Sequence, residues 1–130
     1  MSVLRVGVMG CSSFAQRAMM PALQECEAMD LVCVASRSKE KSEEVAKKFG
    51  CEAVVGYDTL LERNDIDVIY MPLPTGLHEE WCSKALVAGK HLLVEKSFAE
   101  NYVSGKRLLN LAREKNLLVF ENFQFQTHSQ

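Results

Sequence analysis

The sequence predicts an α/β fold: a doubly wound parallel sheet with helices on both of its faces. Two patterns indicate this fold. Short apolar runs of strand length recur along the chain, and the segments between them carry apolar residues at helical spacing. The strong runs are rich in Val, Leu and Ile without regular polar alternation, which is typical of strands buried on both faces of a parallel sheet. Alternation of the two element types predicts right-handed βαβ crossovers and therefore a Rossmann-like architecture.

Six runs are predicted to be strands. They cover residues 4–9, 31–35, 53–55, 68–71, 92–94 and 117–120, of which 53–55 is the weakest. Four apolar stripes predict the helices that cover the sheet. The stripes consist of Phe14, Ala18, Ala22 and Leu23; of Val45, Ala46 and Phe49; of Trp81, Ala85 and Ala88; and of Leu108, Leu109 and Ala112.

Residues that start and stop helices flank these segments. Ser38 and Thr75 can cap the amino ends of the second and third helices, and Asp58 can cap a further short helix. Gly50 and Gly89 follow the second and third helices, where a left-handed terminal residue is easiest for glycine. The start and stop signals therefore agree with the apolar spacing.

Length and composition describe one ordinary globular domain. The 130 residues fit a single domain, and 48% hydrophobic with 25% charged residues argue against a disordered or repetitive chain. The formal net charge of -2 gives no bulk attraction to nucleic acid or to an anionic membrane, so we expect neither as a partner. A small, specific ligand is expected instead.

The five cysteines occur without a CxxC pair or a histidine at zinc-ligand spacing, so the sequence predicts no metal site. They lie in or beside apolar or helical runs, where free thiols behave as small buried hydrophobes, and this suits a reducing compartment. The amino terminus has no signal-peptide pattern, and no apolar run is long enough to span a membrane. We therefore expect a cytoplasmic protein.

A turn that is suited to a dinucleotide follows the first predicted strand. Residues 10–15 read GCSSFA and open the first helix, which is the position of the glycine fingerprint in Rossmann folds. Gly10 permits the tight turn, Ser12 replaces the second glycine, and Ala15 allows close packing of helix on strand. The Ser12 hydroxyl can donate to a phosphate, while the first-turn N–H groups and the helix dipole favour an anion. The alternative is a strand–turn–helix unit without a ligand.

The end of the second predicted strand favours NADP over NAD. Sites that select NAD usually carry Asp or Glu about 20 residues beyond the glycine loop, where it binds the ribose 2′-hydroxyl. Here the strand ends Ser36-Arg37-Ser38-Lys39, and no acid occurs before Glu40. Two hydroxyls, a guanidinium and an ammonium suit a 2′-phosphate. In the alternative interpretation, Arg37 and Lys39 are solvated charges and Ser38 is only a helix cap.

Five segments together resemble one known family. They are RVGVMG at residues 5–10, ASRS at 35–38, YDTLL at 57–61, DVIYMP at 67–72 continuing to His78, and GKHLLVEK at 89–96. In this order and at these intervals, they are similar to the nucleotide-binding domain of the Gfo/Idh/MocA oxidoreductases, the family of glucose/fructose oxidoreductase and inositol 2-dehydrogenase. The resemblance covers nearly the whole chain, and residues 1–121 are predicted to form the NAD(P)-binding Rossmann domain.

The resemblance implies a cofactor site at the carboxyl edge of the sheet, where doubly wound folds bind ligands. Its three parts are a pyrophosphate turn, an adenosine ribose site, and a loop beside the adenine and nicotinamide halves. The matching residues are Gly10, Ser12, Ser13 and Phe14 for the turn; Ser36, Arg37 and Ser38 for the ribose; and Pro72, Leu73, Thr75 and His78 for the loop, with Glu95 positioning the turn after the fifth strand. His78 is expected to be adjacent to the cofactor rather than catalytic.

Lys96 matches the lysine of the family's EKP motif and is the predicted catalytic residue. In relatives that lysine lies near the nicotinamide and the reacting carbon, where an ammonium orients the substrate oxygen and stabilises or relays its proton. This chain has Ser97 where the motif has proline, so the loop loses the fixed φ of that ring. Outside the family context, a pair such as Glu95 and Lys96 at a strand end is usually a surface ion pair.

The family also implies a second domain. Relatives continue into another α/β domain, which contributes substrate contacts and much of the oligomer interface. We expect residues 122–130 to begin the connection to such a domain, which these 130 residues do not include. The fragment alone is therefore expected to bind cofactor but to be inactive.

The expected function is that of the nucleotide-binding domain of an oxidoreductase. It transfers hydride between NADP, with NAD as the alternative, and a hydroxyl or keto group of a sugar-like or nucleotide-sugar substrate. A homo-oligomer is compatible with this function. The competing hypothesis, favoured by Ser12 and Ser97, is a non-catalytic nucleotide-binding sensor or interaction module.

Overall fold

The strands of the protein form a parallel sheet. In a computed structural model of the chain, the described residues are 3–13, 15–72, 75–95 and 102–122. The strands among them are β1 (Leu4–Met9), β2 (Met29–Ser36), β3 (Glu52–Val55), β4 (Val68–Met71), β5 (His91–Glu95) and β6 (Val119–Asn122). Their order across the sheet is β3-β2-β1-β4-β5-β6, with parallel pairing throughout. From β1, the chain first adds β2 and β3 on one side of the sheet and then returns to add β4, β5 and β6 on the other side, as in a doubly wound fold.

Helices cover both faces of this sheet. They are a π-helical segment (Ala15–Met19), α1 (Met20–Glu25), α2 (Lys39–Phe49), α3 (Tyr57–Leu61), α4 (Thr75–Val87) and α5 (Tyr102–Glu114). Val8 and Tyr70 pack with residues of the π-helical segment, α1 and α2. Met9 and Ile69 pack on the opposite face with residues of α3, α4 and α5. The predicted Rossmann-like α/β fold is confirmed.

Burial along the central strands explains why their sequences lack polar alternation. All four residues of β4 are buried, and so are the last four residues of β1. Successive side chains of a strand point to opposite faces, so a strand with helices on both sides needs apolar residues at every position.

Gly7 allows β1 and α3 to approach each other closely. A Cβ atom at Gly7 would lie 2.8 Å from Leu60 Cδ1 and 3.3 Å from Ile66 Cγ2. Both neighbours are themselves buried, so they have little room to move aside. A side chain at this position would therefore push α3 away from the sheet.

The first helix begins with a wide turn. Pro21 has no N–H to donate to the carbonyl of Arg17, four residues earlier, and its ring crowds that carbonyl. The π-helical geometry of Ala15–Met19 lies immediately before this point, and a widened turn relieves the crowding. Met19 and Met20 are both buried as the helix continues.

Most of the predicted caps are confirmed. Ser38 Oγ accepts a hydrogen bond from Lys41 N at 3.2 Å, so it caps α2. Gly50 and Gly89 have φ values of 69° and 84° after α2 and α4, which is the left-handed conformation that favours glycine. Thr75 is the first residue of α4 rather than the residue before it, so its role as a cap stays a prediction.

The prediction that Asp58 caps a short helix is wrong. Helix α3 begins one residue earlier, at Tyr57, and the residue before it is Gly56, with a φ of 92°. Asp58 instead lies in the first turn, where its carboxylate is 3.9 Å from the ammonium of Lys84.

The last strand and two stripe positions also differ from the predictions. The strand predicted at 117–120 lies at Val119–Asn122, because Leu117 N is used to close the end of α5 on the Ala112 carbonyl at 2.8 Å. Ala88 is exposed because α4 ends before it, and Leu109 is 45% exposed because only its neighbour Leu108 faces the core. An apolar run does not by itself show which of two adjacent residues faces the sheet.

Charged side chains close the amino edge of the sheet, where the strands begin. Arg5 Nε and Nη2 each donate to a carboxylate oxygen of Asp67 at 3.1 Å, and Arg5 N donates to Oδ2 at 2.8 Å. The Asp67 carbonyl accepts from His91 N at 2.9 Å. Asp67 therefore ties together the beginnings of β1, β4 and β5. The hydrogen bonds from Arg5 hold the pKa of the Asp67 carboxyl below its ordinary value.

Lys90 lies beside this pair and is only 6% exposed. Its ammonium donates to the carbonyls of Arg63 and Ile66, and burial lowers its pKa. Arg63 in turn forms a bidentate pair with Asp65 at 2.9 and 2.7 Å and approaches Glu52 at 3.2 Å. We call these charged residues the amino-edge network: Arg5, Glu52, Arg63, Asp65, Asp67 and Lys90.

Candidate functional site

The predicted site residues gather at the opposite, carboxyl edge of the sheet. Gly10 directly follows β1, Ser36 is the last residue of β2, Pro72 directly follows β4, and Glu95 is the last residue of β5. Because the strands are parallel and adjacent, these positions share one edge. They flank the boundary between β1 and β4, where doubly wound folds have their ligand crevice.

The turn after β1 is held tightly against β2. Gly10 has a φ of 118°, a conformation that side-chain-bearing residues rarely adopt. Its N–H donates to the Ala35 carbonyl at 2.9 Å. The turn that was predicted to bind pyrophosphate is thus anchored beside the strand end that was predicted to bind the ribose.

Ser12 caps the helix that this turn begins. Its Oγ accepts from Ala15 N at 3.0 Å, and its carbonyl accepts from Gln16 N at 3.1 Å. Gln16 Nε2 donates to the Cys11 carbonyl at 3.2 Å and ties down the other side of the turn. A serine hydroxyl that accepts one hydrogen bond keeps its proton for another acceptor. Ser12 can therefore serve as the cap and still donate to an anion. Ser13 is exposed beside it.

The tip of β2 presents Arg37 between two structural serines. Ser36 Oγ accepts from Ser38 N at 3.1 Å, and Ser38 Oγ caps α2. Arg37 is exposed. The two serines shape the turn, and the guanidinium points away from the buried core.

Lys41 is a neighbour of this tip that the sequence did not single out. Burial raises the pKa of the Cys11 thiol, and the Lys41 ammonium and the Ser36 hydroxyl oppose that rise. Lys41 therefore adds positive charge near the first turn, and Cys11 borders both parts of the candidate site. The position of Lys41 in the first turn of α2, directly after the tip of β2, was the signal that could have identified this residue.

Tyr57 is a second residue that the sequence analysis missed. Tyr57 follows Gly56, whose N–H donates to the Ser36 carbonyl at 2.8 Å. Tyr57 is only 9% exposed. Burial raises the pKa of the Tyr57 phenol, and the nearby Arg37 guanidinium opposes the rise. The register of β2 on β3, with Ser36 opposite Val55, would have placed Tyr57 at this edge.

The remaining predicted residues belong to the β4 and β5 side of the crevice. Pro72 is half-buried, Thr75 and His78 lie in the first turn of α4, and Glu95 ends β5. Phe14, Leu73 and Lys96 lie outside the described residues. The structure thus brings the turn predicted to bind pyrophosphate, the strand end predicted to bind the ribose and the start of α4 to one edge, and the roles of these residues and of Lys96 stay predictions.

The cysteines are all free. Cys33 and Cys82 are buried, and burial raises the pKa of each thiol to about 12. Cys26 is exposed, so the expectation that the free thiols are small buried hydrophobes is wrong at this position. Among residues 3–13, 15–72, 75–95 and 102–122, no group of three or more His, Cys, Asp and Glu side chains could hold a metal ion.

The helices in the described part of the chain include none that is both long and apolar enough to cross a membrane.

Comparison with known sequences gives a consistent family. The sequence model of the Gfo/Idh/MocA oxidoreductase family, described as having an NAD-binding Rossmann fold, matches residues 4–123. The chain is 51% identical over 125 residues to a dTDP-3,4-didehydro-2,6-dideoxy-alpha-D-glucose 3-reductase of Saccharopolyspora spinosa. It is 49% identical over 126 residues to an enzyme of the same name from Streptomyces violaceoruber. The alignments cover 96% and 97% of this chain, but only 38% and 37% of those relatives.

Comparison with solved structures agrees with this result. KijD10, a 3-ketoreductase from Actinomadura kijaniata solved with NADP and TDP-benzene, superimposes with a TM-score of 0.95 at 43% sequence identity. The match covers 99% of this chain and 40% of KijD10. The match to the family model and the shared fold lead to one conclusion: the chain belongs to the Gfo/Idh/MocA oxidoreductase family and has its NAD-binding Rossmann fold.

Proposed function

We propose that the chain is the NADP-binding part of a reductase that acts on a keto group of a nucleotide-linked sugar. The observation that carries this proposal is the 51% identity to the dTDP-sugar 3-reductase of S. spinosa, which extends over 96% of the chain. Because the chain spans 38% of that relative's length, we further propose that substrate binding requires a second domain after residues 122–130. The substrate and the reaction are proposed for that longer protein.

The residues at the first turn fit the pyrophosphate of a dinucleotide. Gly10 lets the backbone turn where it meets β2, and Ser12 begins the helix with a hydroxyl that can still donate. The first N–H groups of a helix lack intrahelical acceptors, and the helix dipole favours negative charge there. This fit also removes one argument for a non-catalytic module, since serine at position 12 has a structural role that does not oppose phosphate binding.

The tip of β2 supports NADP over NAD. Arg37 is exposed there, Lys41 lies near the adjacent turn, and the first acid after the strand is Glu40. A ribose 2′-phosphate would receive charge-assisted hydrogen bonds from the guanidinium. An Asp or Glu at this tip, which would bind a 2′-hydroxyl, is replaced here by basic and hydroxyl side chains.

Lys96 is proposed to supply the proton of the reduction. When bound, the reduced nicotinamide supplies a hydride to the carbonyl carbon. Negative charge then develops on the carbonyl oxygen, and Lys96 holds a proton at Nζ that this oxygen accepts. Glu95 is the last residue of β5, and we propose that it positions the turn that follows. Hydride and proton together convert the ketone to an alcohol.

The role of Lys96 is tested in a protein in which the chain continues into its substrate domain. Lys96→Ala is expected to lower kcat by about a hundredfold or more while leaving the Kd for NADPH within about twofold. Ser97→Pro is the matched change in the same segment, and we expect it to preserve turnover. Unchanged turnover in Lys96→Ala would contradict the proposed role.

The cofactor proposal is tested directly on the 130-residue chain by calorimetric titration. We expect NADPH to bind more tightly than NADH. Arg37→Ala should weaken NADPH binding by about tenfold to a hundredfold, because charged hydrogen bonds to the 2′-phosphate are lost. The Kd for NADH should change by no more than about twofold.

Arg113→Ala is the matched control, because Arg113 is an exposed arginine on α5. It removes the same charge from the chain and should leave both affinities unchanged. Equal binding of NADPH and NADH, or equal effects of the two arginine changes, would contradict the proposed selectivity.

We also propose a reducing, cytoplasmic location. The support is that all five cysteines are free, with two of them fully buried in the core. The expectation of a homo-oligomer stays a prediction.

A further inference from the structure

Helices α3 and α4 are joined by a group of side chains that we call the α3–α4 clasp: Tyr57, Asp58, Trp81 and Lys84. The rings of Tyr57 and Trp81 meet edge to face, with centroids 5.2 Å apart and planes at 86°. Lys84 Nζ lies 4.3 Å from the centroid of the Trp81 ring. The same ammonium is 3.9 Å from Asp58 and 3.4 Å from Glu80. Lys84 therefore packs over the ring of Trp81 and also pairs with Asp58 of α3.

One end of the clasp lies at the proposed 2′-phosphate site. Gly56, the residue before Tyr57, is hydrogen-bonded to the Ser36 carbonyl. The register that pairs Ser36 with Val55 brings the segment after Ser36 beside the start of α3. The Arg37 charge acts on the Tyr57 phenol. Tyr57 thus follows a residue that is bonded to the proposed adenosine side of the site, and its ring contacts Trp81.

The other end of the clasp lies on α4, which begins at the nicotinamide side of the proposed site. Cys82, Ala85 and Leu86 are fully buried and pack α4 onto the sheet. These residues set the distance of the helix from the sheet. Trp81 and Lys84 also contact α3, so they contribute to the sideways position of α4 together with the pairing of Glu79 with Arg107 of α5. That sideways position determines how far the first turn of α4 lies from the tip of β2.

We propose that Trp81 is a positioning residue that fixes the spacing between the adenosine-binding and nicotinamide-binding parts of the cofactor site. This inference rests on the proposed function, because it requires that one dinucleotide spans both parts. Trp81 is not itself among the proposed cofactor-binding residues. It acts by holding α4 against Tyr57, whose own position follows the tip of β2.

The test compares two ligands of different reach. Adenosine 2′,5′-bisphosphate carries the 2′-phosphate but no nicotinamide, whereas NADP extends across the crevice. In Trp81→Leu, we expect the Kd for NADP to rise by about threefold to tenfold, the size of effect that loss of an aromatic pair produces. The Kd for adenosine 2′,5′-bisphosphate should stay within about twofold. Trp81→Phe retains an aromatic ring against Tyr57 and should restore NADP binding.

Leu86→Ala separates positioning from general loss of stability. Leu86 is buried in the same helix but belongs to its sheet-facing side. Its truncation should lower the melting temperature more than Trp81→Leu does, yet leave the ratio of the two dissociation constants unchanged. A rise of both constants in Trp81→Leu by the same factor would overturn the inference, as would an equal change of the ratio in Leu86→Ala.

Lys84→Met keeps the inference testable if Trp81→Leu does not fold. Lys84 is exposed, so its replacement removes the contacts with Trp81 and Asp58 without opening the core. We expect the Kd for NADP to rise by about twofold while the Kd for adenosine 2′,5′-bisphosphate stays the same. An unchanged ratio of the two dissociation constants would contradict the inference. If the unaltered chain binds neither ligand, the proposed function fails; if it binds both and no clasp variant moves the ratio, only the positioning role fails.

Discussion

The two edges of the sheet are built from different kinds of residue. At the amino edge, long charged side chains bind one another and the backbone, and each member of the amino-edge network has a partner. At the carboxyl edge, β1, β2 and β4 end at or directly before Gly10, Ser36 and Pro72, and serine side chains bond to the backbone of their own turns. The first arrangement holds the strands in register. The second forms the turns at which we propose that the cofactor binds.

This contrast gives each edge a separate expected response to mutation. Changes at the amino edge should alter the free energy of unfolding and leave cofactor affinity intact. Changes at the carboxyl edge should alter cofactor affinity with smaller effects on unfolding. A variant that violates this division would show that the two edges are coupled through the central strands.

Lys90→Met should give the largest loss of stability. The change leaves the carbonyls of Arg63 and Ile66 without their buried donor, and we expect the free energy of unfolding to fall by about 2–4 kcal/mol. Urea unfolding measures this loss. The exposed Lys47→Met is the matched control and should change stability by less than about 0.5 kcal/mol. A large loss of NADPH affinity in the folded Lys90→Met protein would contradict the expectation that changes at the amino edge leave cofactor affinity intact.

Gly7→Ala tests the middle of β1, between the edges. The new methyl group would meet Leu60 Cδ1, and overpacking of a buried site should lower the free energy of unfolding by about 1–3 kcal/mol. In a Leu60→Ala background the clashing atom is absent, so the same change should be less harmful. The double-mutant cycle of urea midpoints measures this coupling. Additive effects would show that the glycine is not required for the approach of α3.

Ser12 distinguishes the two roles of the carboxyl edge. Ser12→Ala removes the cap on Ala15 N and should lower the free energy of unfolding by about 1 kcal/mol, whereas Ser12→Gly should lower it by only a few tenths. Calorimetry with NADPH should show weaker binding for the alanine variant. The glycine variant loses the same hydroxyl but allows the pyrophosphate a closer approach, so it should bind more tightly than the alanine variant. Weak binding by Ser12→Gly would assign the binding role to the hydroxyl itself.

Asp67→Asn should lower stability near neutral pH, and this loss should shrink in acid. Because Arg5 lowers the pKa of Asp67 in the folded protein, the carboxylate contributes stability above its ordinary pKa of 3.8 and loses it as the pH falls through 3.8 toward the lower folded value. Urea midpoints measured from about pH 6 to about pH 3 should fall less steeply in the variant than in the unaltered chain. Asp30→Asn changes an exposed carboxylate and is the control. Parallel curves for Asp67→Asn and the unaltered chain would contradict the assigned linkage.

The sequence was sufficient to predict the fold because the central elements follow local rules. The strand predicted at 68–71 coincides with β4, which is apolar at every position because helices cover both of its faces. Ser38 and Gly50 mark the ends of α2 by capping chemistry that needs no knowledge of the rest of the protein. Errors arose where a tertiary contact competes with a local pattern. The apolar run that contains Leu117 predicts a strand, but the N–H of Leu117 instead bonds to the end of α5.

The site was predictable in position and only partly in composition. Gly10 and the tip of β2 could be found because strand ends and glycine turns are visible in the sequence. Tyr57 and Trp81 could not, because their relation depends on how α3 and α4 lie beside each other. The amino-edge network was missed for the same reason: Arg5 and Asp67 are 62 residues apart and meet only when β1 and β4 pair.

Trp81 is the single tryptophan of the chain, and its indole is packed between a phenol ring and an ammonium group. Indole fluorescence responds to the polarity and charge of its immediate surroundings. The protein therefore contains an intrinsic optical reporter at the junction of α3 and α4, and its emission spectrum can follow that junction in solution without any attached dye.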